Sequence, residues 1–298
     1  MSSAMASVEA SRSVQSPSES DGDLVGAVVD VPAPLERVDP TTDPRHRAWD
    51  RPLVSPAVPA LVVLPTYNEV ENIAEVLTKV RAAVPDARIL VVDDGSPDGT
   101  ADLAEHLGVE LGNIEVLRRS GKQGLGSAYR AGFRWGLDHG LEILVEMDSD
   151  LSHDPAALPS LLAAVEGGAD LAIGSRYVPG GSIPDWAWHR RKLSRWGNRY
   201  AGAVLGMKVR DATAGYRAYR AGCLRNIDLD TVKADGYGFQ IEMAYRVSRA
   251  GGVIVEVPIA FVDRVRGTSK MSGRIVVEAL RLVTLWGVRD RLLHRSRR

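Results

Sequence analysis

The chain has 298 residues, 45% hydrophobic and 25% charged, the proportions of a folded globular protein. A net charge of −1 excludes bulk attraction to nucleic acid, so no nucleic-acid partner is expected. The single cysteine, Cys223, excludes an intrachain disulfide and fits a reducing compartment, while six scattered histidines without helical ligand spacing argue against zinc.

Residues 1–57 are rich in Ser, Pro, Asp and Ala and carry no sustained apolar period, which predicts a disordered N-terminal segment. The first residues lack the basic start and apolar core of a secretory signal. No later apolar run reaches the roughly 20 residues of a membrane span, and the chain is expected on the cytoplasmic side.

From Pro59 the pattern changes. Ala60-Leu-Val-Val-Leu64 reads as a buried strand, followed by Pro65-Thr-Tyr67-Asn68-Glu69 and a helix to about Val84, with Ile73, Val76, Leu77 and Val80 at helical spacing. Arg88–Val92 is a second strand ending in Asp93-Asp94-Gly95-Ser96, and Asp98 or Thr100 can cap the helix after it. Ile114–Leu117, Leu141–Met147 and Ala169–Ile173 read as further strands, with helices over 124–139 and 155–166 between them. Strands alternating with helices predict a mostly parallel sheet covered on both faces, whose ligands bind beyond the carboxyl ends of the strands. Polar clusters stand at those ends: Tyr67-Asn68-Glu69, Asp93-Asp94, Asp148-Ser149-Asp150 and Ser175-Arg176.

The most informative of these is Met147-Asp148-Ser149-Asp150-Leu151-Ser152. An extended backbone projects residues i and i+2 to one side, so the tip of the strand can aim Asp148 and Asp150 at one point, where a hard divalent cation would relieve their repulsion. Gly121-Lys122-Gln123-Gly124-Leu125-Gly126 is neither a P-loop nor a dinucleotide fingerprint, since no Ser or Thr follows the lysine and the glycine spacing is wrong.

In the second half, His189-Arg190-Arg191-Lys192-Leu-Ser-Arg195-Trp196 is a basic run beside Trp186 and Trp188, of the kind usually found on a solvated helix face. Asp211–Tyr219 reads as a turn entering a strand, Gly236–Glu242 opens a helix, and Val253–Val257 is a strand. The segment 263–270 combines Gly267 with three cations and is expected to be mobile. A last helix over about 274–293 carries a broad apolar face and an arginine-rich end, which suits either packing on the sheet or lying on an anionic lipid surface.

Six stretches in unbroken order carry a family resemblance: Pro65-Thr-Tyr67-Asn-Glu69, Val92-Asp-Asp94-Gly-Ser-Pro-Asp-Gly-Thr, Asp148-Ser-Asp150-Leu-Ser-His, Gly174-Ser-Arg176-Tyr, Asp211-Ala-Thr-Ala-Gly-Tyr-Arg217 and Arg264-x-x-Gly-x-Ser-Lys270. Together they resemble the inverting glycosyltransferases of family two, and within that family the polyprenol-phosphate (dolichol-phosphate) mannose synthases. The resemblance implies an α/β GT-A-type, Rossmann-like, mostly parallel sheet flanked by helices. It implies a single catalytic domain over 58–273, followed by an amphipathic helix with a basic tail over 274–298.

It also implies site roles. Pro65, Tyr67, Glu69, Val92 and Asp94 match the positions that hold the nucleotide base and ribose. Asp148 and Asp150, with Ser149 alongside, match those that hold Mg2+ or Mn2+ on the sugar diphosphate. Ser152 stands where some relatives carry a Gln as third metal ligand, and is a shorter and weaker donor. Arg176, Arg190, Arg264 and Lys270 match phosphate-contacting cations, with Asp150, Arg190, Arg264 and Lys270 as the catalytic set.

The implied reaction is transfer of mannose from GDP-mannose to polyprenyl phosphate at a peripheral membrane surface, with an integral membrane protein as a further partner. A lipid monophosphate has a second pKa of about 6 and is an anionic nucleophile already, so it needs no general base. Glu242 is the alternative should a base be needed. Two rival readings keep the fold: UDP-glucose or another acceptor in the same site, or a nucleotide-sugar binding module without catalysis.

Overall fold

The computed structural model describes residues 58–263 and 273–295, and in it the alternating elements form one seven-stranded sheet. The strands are β1 (Ala60–Thr66), β2 (Arg88–Asp93), β3 (Ile114–Arg118), β4 (Ile143–Glu146), β5 (Leu171–Ser175), β6 (Arg217–Arg220) and β7 (Ile254–Pro258). The helices are α1 (Val70–Ala83), α2 (Thr100–Leu111), α3 (Leu125–Asp138), α4 (Leu158–Glu166), α5 (Trp188–Leu205), α6 (Ala221–Asn226), α7 (Gly236–Arg249) and α8 (Gly273–Arg295). The order across the sheet is β3-β2-β1-β4-β6-β5-β7, with β6 antiparallel to both of its neighbours and every other pair parallel.

Strand alternation explains why the central strands are apolar throughout: successive residues serve opposite faces, and both faces are covered. Leu61, Val63, Leu90 and Val92 pack with Tyr129 and Phe133 of α3, whereas Val62, Leu64, Ile89 and Val91 pack with α1 and α4. Helix α3 reaches the sheet closely because of its glycines. A Cβ at Gly136 would lie 2.6 Å from Leu144 Cδ2 and 2.8 Å from Leu61 Cδ2.

Three features differ from the sequence expectation. Strand β4 stops at Glu146 and not at Met147, so Asp148 and Asp150 lie in a turn beyond it, where Leu151 takes φ 63°. Strand alternation therefore does not present the two acids. Residues Pro155–Ala157 form a 3-10 turn before α4, with the Asp154 carboxylate accepting the Ala156 N–H at 3.0 Å. The short α6 was hidden in the sequence because its six residues are too few to show a period.

Helices α5 and α8 run side by side and parallel: Tyr200 Oη meets Thr284 Oγ1 at 2.8 Å, and Gly287 lies against Val204. The apolar residues of α8 divide between two tasks. Ala279 and Val283 are buried in the core, while Val277, Leu285, Val288 and Leu292 are exposed by 66%, 54%, 49% and 62%. No helix among the described residues is long and apolar enough to cross a membrane. Segment 1–57 and the expected phosphate contacts Arg264 and Lys270 lie outside the described residues.

Candidate functional site

The carboxyl edge of the sheet brings most of the expected site residues to one place. At the end of β1, Thr66 Oγ1 donates to Asp93 Oδ1 at 2.9 Å, and the Asp93 carboxylate also accepts Ser96 N–H at 2.8 Å and Ser96 Oγ–H at 2.6 Å. Pro65 stands opposite Val92 in the ladder. Asn68 takes φ 59° and donates its N–H to Ser96 Oγ at 3.0 Å, which turns the chain from β1 into α1. Glu69 receives the Asn72 side-chain amide at 2.8 Å, and its own N–H donates to Thr100 Oγ1 at 3.0 Å. Asp98 receives both Val70 N–H and Thr100 N–H, at 3.1 and 3.0 Å, so one carboxylate ties the starts of α1 and α2 together. Burial opposes its charge, but these bonds and the Thr100 hydroxyl hold its pKa below the usual carboxylate value.

Asp94 organises the next loop. Its Oδ1 receives Arg119 Nη1 at 2.6 Å and its Oδ2 receives the Gln123 N–H at 3.0 Å. Arg119 also reaches Gln123 Oε1 and Ser127 Oγ, at 2.7 and 2.6 Å. The glycine-rich 121–126 segment thus folds back over the β1 end, where the Lys122 ammonium lies 4.5 Å from the centre of the Tyr67 ring. Sequence reading set this segment aside because it matches no phosphate-binding motif. The spacing of Asp94 from Gln123 gives no sign of their contact.

Beyond β4, Ser149 Oγ donates to Pro65 O at 2.8 Å, pinning the acidic turn against β1. Asp148 Oδ1 receives Tyr129 Oη–H at 3.0 Å, and Asp148 N–H donates to His153 Nδ1 at 3.1 Å. Burial pushes the Tyr129 hydroxyl well above its ordinary pKa and the Asp148 charge adds to this, so Tyr129 stays a donor. Asp150 is 4% exposed, and its Oδ1 receives Ser152 N–H at 3.0 Å. The donor atoms are hard oxygens, which suit Mg2+ or Mn2+. No group of three or more Asp, Glu, His or Cys suited to a metal occurs among the described residues. Two carboxylates are nonetheless enough for Mg2+, which usually keeps several waters and completes its shell with substrate phosphates. The residues present therefore fit such an ion.

Beneath the turn, Arg217 is fully buried. It donates to Ala214 O, Ala212 O and Gln240 O at 2.7 Å each and lies 3.6 Å from Glu146. Burial pushes the Glu146 carboxyl up to about 8, against the pull of Arg217. Arg217 thereby shapes the 211–216 turn, whose Gly215 faces Asp148: a Cβ there would come 4.0 Å from Asp148 Oδ2.

Arg176 is only 6% exposed. Its Nε and Nη2 grip Asp211 at 2.8 and 2.7 Å, and Nη2 reaches Thr213 Oγ1 at 2.9 Å. Burial works against this charge, but Asp211 more than offsets it and the pKa lies above the ordinary arginine value. Trp186, Tyr177 and Phe261 each have ring centres 5.5 Å from its guanidinium. Arg190, the second residue of the basic run, lies 3.8 Å above the Trp186 ring and 3.3 Å from Asp263. The run is thus a largely solvated face except at Arg190, which turns inward to this aromatic platform. The alternative base Glu242 is held by Ala234 N–H at 3.2 Å and by Arg246 at 2.6 Å.

Residues 61–228 match the family described as Glycosyl transferase family 2. The chain is 54% identical over 231 residues to the undecaprenyl-phosphate mannosyltransferase of Micrococcus luteus, covering 78% of this chain and 95% of that one. It is 51% identical over 244 residues to the polyprenol monophosphomannose synthase of Mycolicibacterium smegmatis, covering 82% and 92%. Among solved structures it is similar to the glucosyl-3-phosphoglycerate synthase of Mycobacterium tuberculosis, with a TM-score of 0.56 and 20% identity over 76% of this chain and 79% of that one, a likeness of fold. The chain belongs to glycosyl transferase family 2, and its relatives there include these polyprenyl-phosphate mannosyltransferases at 51% and 54% identity.

Proposed function

We propose that this chain transfers mannose from GDP-mannose to a polyprenyl phosphate, with inversion, giving polyprenyl phosphomannose and GDP. One observation carries the reading. The acidic turn Asp148–Ser152 and the arginine–aromatic platform Arg176–Trp186–Arg190 stand on the same edge of one sheet, a donor-diphosphate chemistry beside an acceptor-phosphate chemistry. The names of the two relatives above support mannose as the sugar and polyprenyl phosphate as the acceptor.

In this reading the base and ribose of the donor lie along Pro65, Tyr67, Glu69, Val92 and Asp94, with the 119–124 loop anchored on Asp94 as one wall. Asp148, Asp150 and Ser152, with Ser149 alongside, face the diphosphate. Asp148 and Asp150 would hold Mg2+ or Mn2+, which would supply positive charge to the leaving nucleoside diphosphate. Tyr129 and His153 fix Asp148, and Arg217 fixes the turn opposite. Arg190, with Arg264 and Lys270, holds the acceptor phosphate in line with the anomeric carbon, against the Coulomb repulsion between two anions. Arg176 contributes through Asp211 and Thr213, to which its guanidinium is bound. No base is required, because the acceptor phosphate is an anion already at neutral pH.

The acceptor is a lipid, and α5 and α8 together support a peripheral stance on an anionic leaflet at the cytoplasmic face. Trp188, Leu193 and Trp196 are exposed by 69%, 55% and 52% amid Arg191, Lys192 and Arg195. The test supplies radiolabelled GDP-mannose, undecaprenyl phosphate and Mg2+ to wild type and to Asp150→Ala. Label extracted into organic solvent, lost with the variant or with chelator, is the expected result. Transfer from UDP-glucose alone would overturn the donor, and nucleotide-sugar binding without any transfer would overturn the enzyme reading.

A further inference from the structure

The cation assigned to the acceptor phosphate already holds an anion. Arg190 Nη1 donates to both carboxylate oxygens of Asp263 at 3.3 Å, and Trp186 Nε1–H donates to Asp263 Oδ1 at 2.8 Å. The same Trp186 ring lies 3.8 Å from the guanidinium, so one indole supports both members of the ion pair. A solute can reach that pair, since the side chains of Arg190 and Asp263 are 33% and 46% exposed. The chain before Asp263 places it there. Val262 N–H donates to Ser152 O at 3.4 Å, and Phe261 forms a β-bridge with His153, whose Nδ1 receives Asp148 N–H. The carboxylate thus stands where an extended segment leaves the acidic turn and meets the arginine–aromatic platform.

We propose that Asp263 serves the reaction as an exchangeable anion: the acceptor phosphate displaces its carboxylate from Arg190, and the carboxylate retakes Arg190 once mannose has been transferred. This rests on the reading of Arg190 as an acceptor-phosphate contact and extends it to the clearing of product. Charge decides the exchange. A carboxylate carries one negative charge, and a phosphate monoester carries about 1.5 to 2 at neutral pH. Attraction to one guanidinium grows with that charge, so the monoester wins the cation. Transfer joins the sugar to a phosphate oxygen and leaves a diester with a single charge, no greater than that of Asp263. The carboxylate is tethered beside Arg190 and then has the advantage of its high effective concentration. Such a competitor weakens every anion at Arg190 by the fraction of time for which it leaves the cation free.

Asp263→Asn supplies the test, because the amide oxygen can still accept the Trp186 N–H while the charge facing Arg190 is gone. Thermal melting should match wild type. Binding of geranyl phosphate, a monoester, and of methyl geranyl phosphate, a diester, is measured by calorimetry without donor. Wild type should bind the monoester more tightly, and the variant should gain about two- to fivefold for both compounds, the range expected of a half-exposed ion pair. In an Arg190→Gln background the same change should yield little gain. Unchanged or weaker binding by Asp263→Asn, equal binding of the two compounds by wild type, or an equal gain in the Arg190→Gln background each overturns the proposal. Monoester binding that Arg190→Gln leaves untouched would instead overturn the acceptor role of Arg190, and the exchange with it.

Discussion

Arg217 is the residue whose removal should be felt furthest. Arg217→Met keeps a side chain of similar reach, loses the charge, and deprives Ala212 O, Ala214 O and Gln240 O of donors at 2.7 Å. Each buried acceptor left unpaired costs about 1–3 kcal/mol, partly offset by burial of the methionine. Because burial pushes Glu146 up to about 8, it is mostly protonated at neutral pH, and the loss comes from the three carbonyl bonds rather than from an ion pair. We expect Arg217→Met to lose about 3–5 kcal/mol, a large part of the roughly 5–15 kcal/mol that holds an ordinary domain. Glu146→Gln should lose much less. It preserves shape, and Arg217 keeps its three carbonyl partners while its distance to Glu146 is already 3.6 Å. Urea unfolding followed by tryptophan fluorescence would show the midpoint falling at constant slope. A cost below about 1 kcal/mol for Arg217→Met, or an equal cost for the two variants, would refute the view that the carbonyl bonds dominate.

Gly181→Ala should destabilise by about 1–3 kcal/mol, because the new Cβ would lie 2.6 Å from Ser175 O and 2.8 Å from Arg176 C, backbone atoms that cannot swing away. Thermal melting reads this, and an unchanged melting temperature would contradict it. Burial raises the Cys223 thiol to about 12, and burial likewise raises the Tyr216 and Tyr219 hydroxyls above their ordinary value. Folded values raised above unfolded ones mean stability that is complete below the unfolded pKa and is lost as pH climbs toward the folded one. The urea midpoint should therefore fall between about pH 9 and 12, and Cys223 should resist thiol reagents at pH 8 until denaturant is added. Trp188→Ser combined with Trp196→Ser should weaken flotation with anionic vesicles, and salt should weaken it further. Binding indifferent to both would remove the membrane role of α5.

The sequence disclosed what depends on local period and on motif order. Val62, Leu64, Ile89 and Val91 announce strands buried on both sides, and Ile73, Val76, Leu77 and Val80 announce the face of α1. The polar ends of those strands mark the site edge in the sequence itself. Long-range pairings were invisible. Nothing in the spacing ties Asp94 to Gln123, Tyr129 to Asp148, or Arg176 to Asp211, because such contacts are set by how layers stack. Arg176 illustrates the difference: its chemistry reads as a phosphate contact, yet its guanidinium is bound to a neighbouring carboxylate. Strand β4 ends one residue short of the predicted Met147, which extends an apolar run that the ladder itself does not use, so the strand's tip does not aim Asp148 and Asp150.

The antiparallel β6 also bears on how the chain must fold during synthesis. Strands β1 to β4 can pair as they emerge, but the free side of β4, with its apolar Ile143-Leu-Val145, waits for a partner made about seventy residues later. At translation speeds of ~5–20 residues per second that edge stands unpaired for several seconds or more. An apolar strand edge in water is a template for pairing with another chain. The nascent protein is therefore most exposed to aggregation between completion of β4 and arrival of Arg217-Ala-Tyr-Arg220. Chains truncated within that interval should be the ones that need a chaperone.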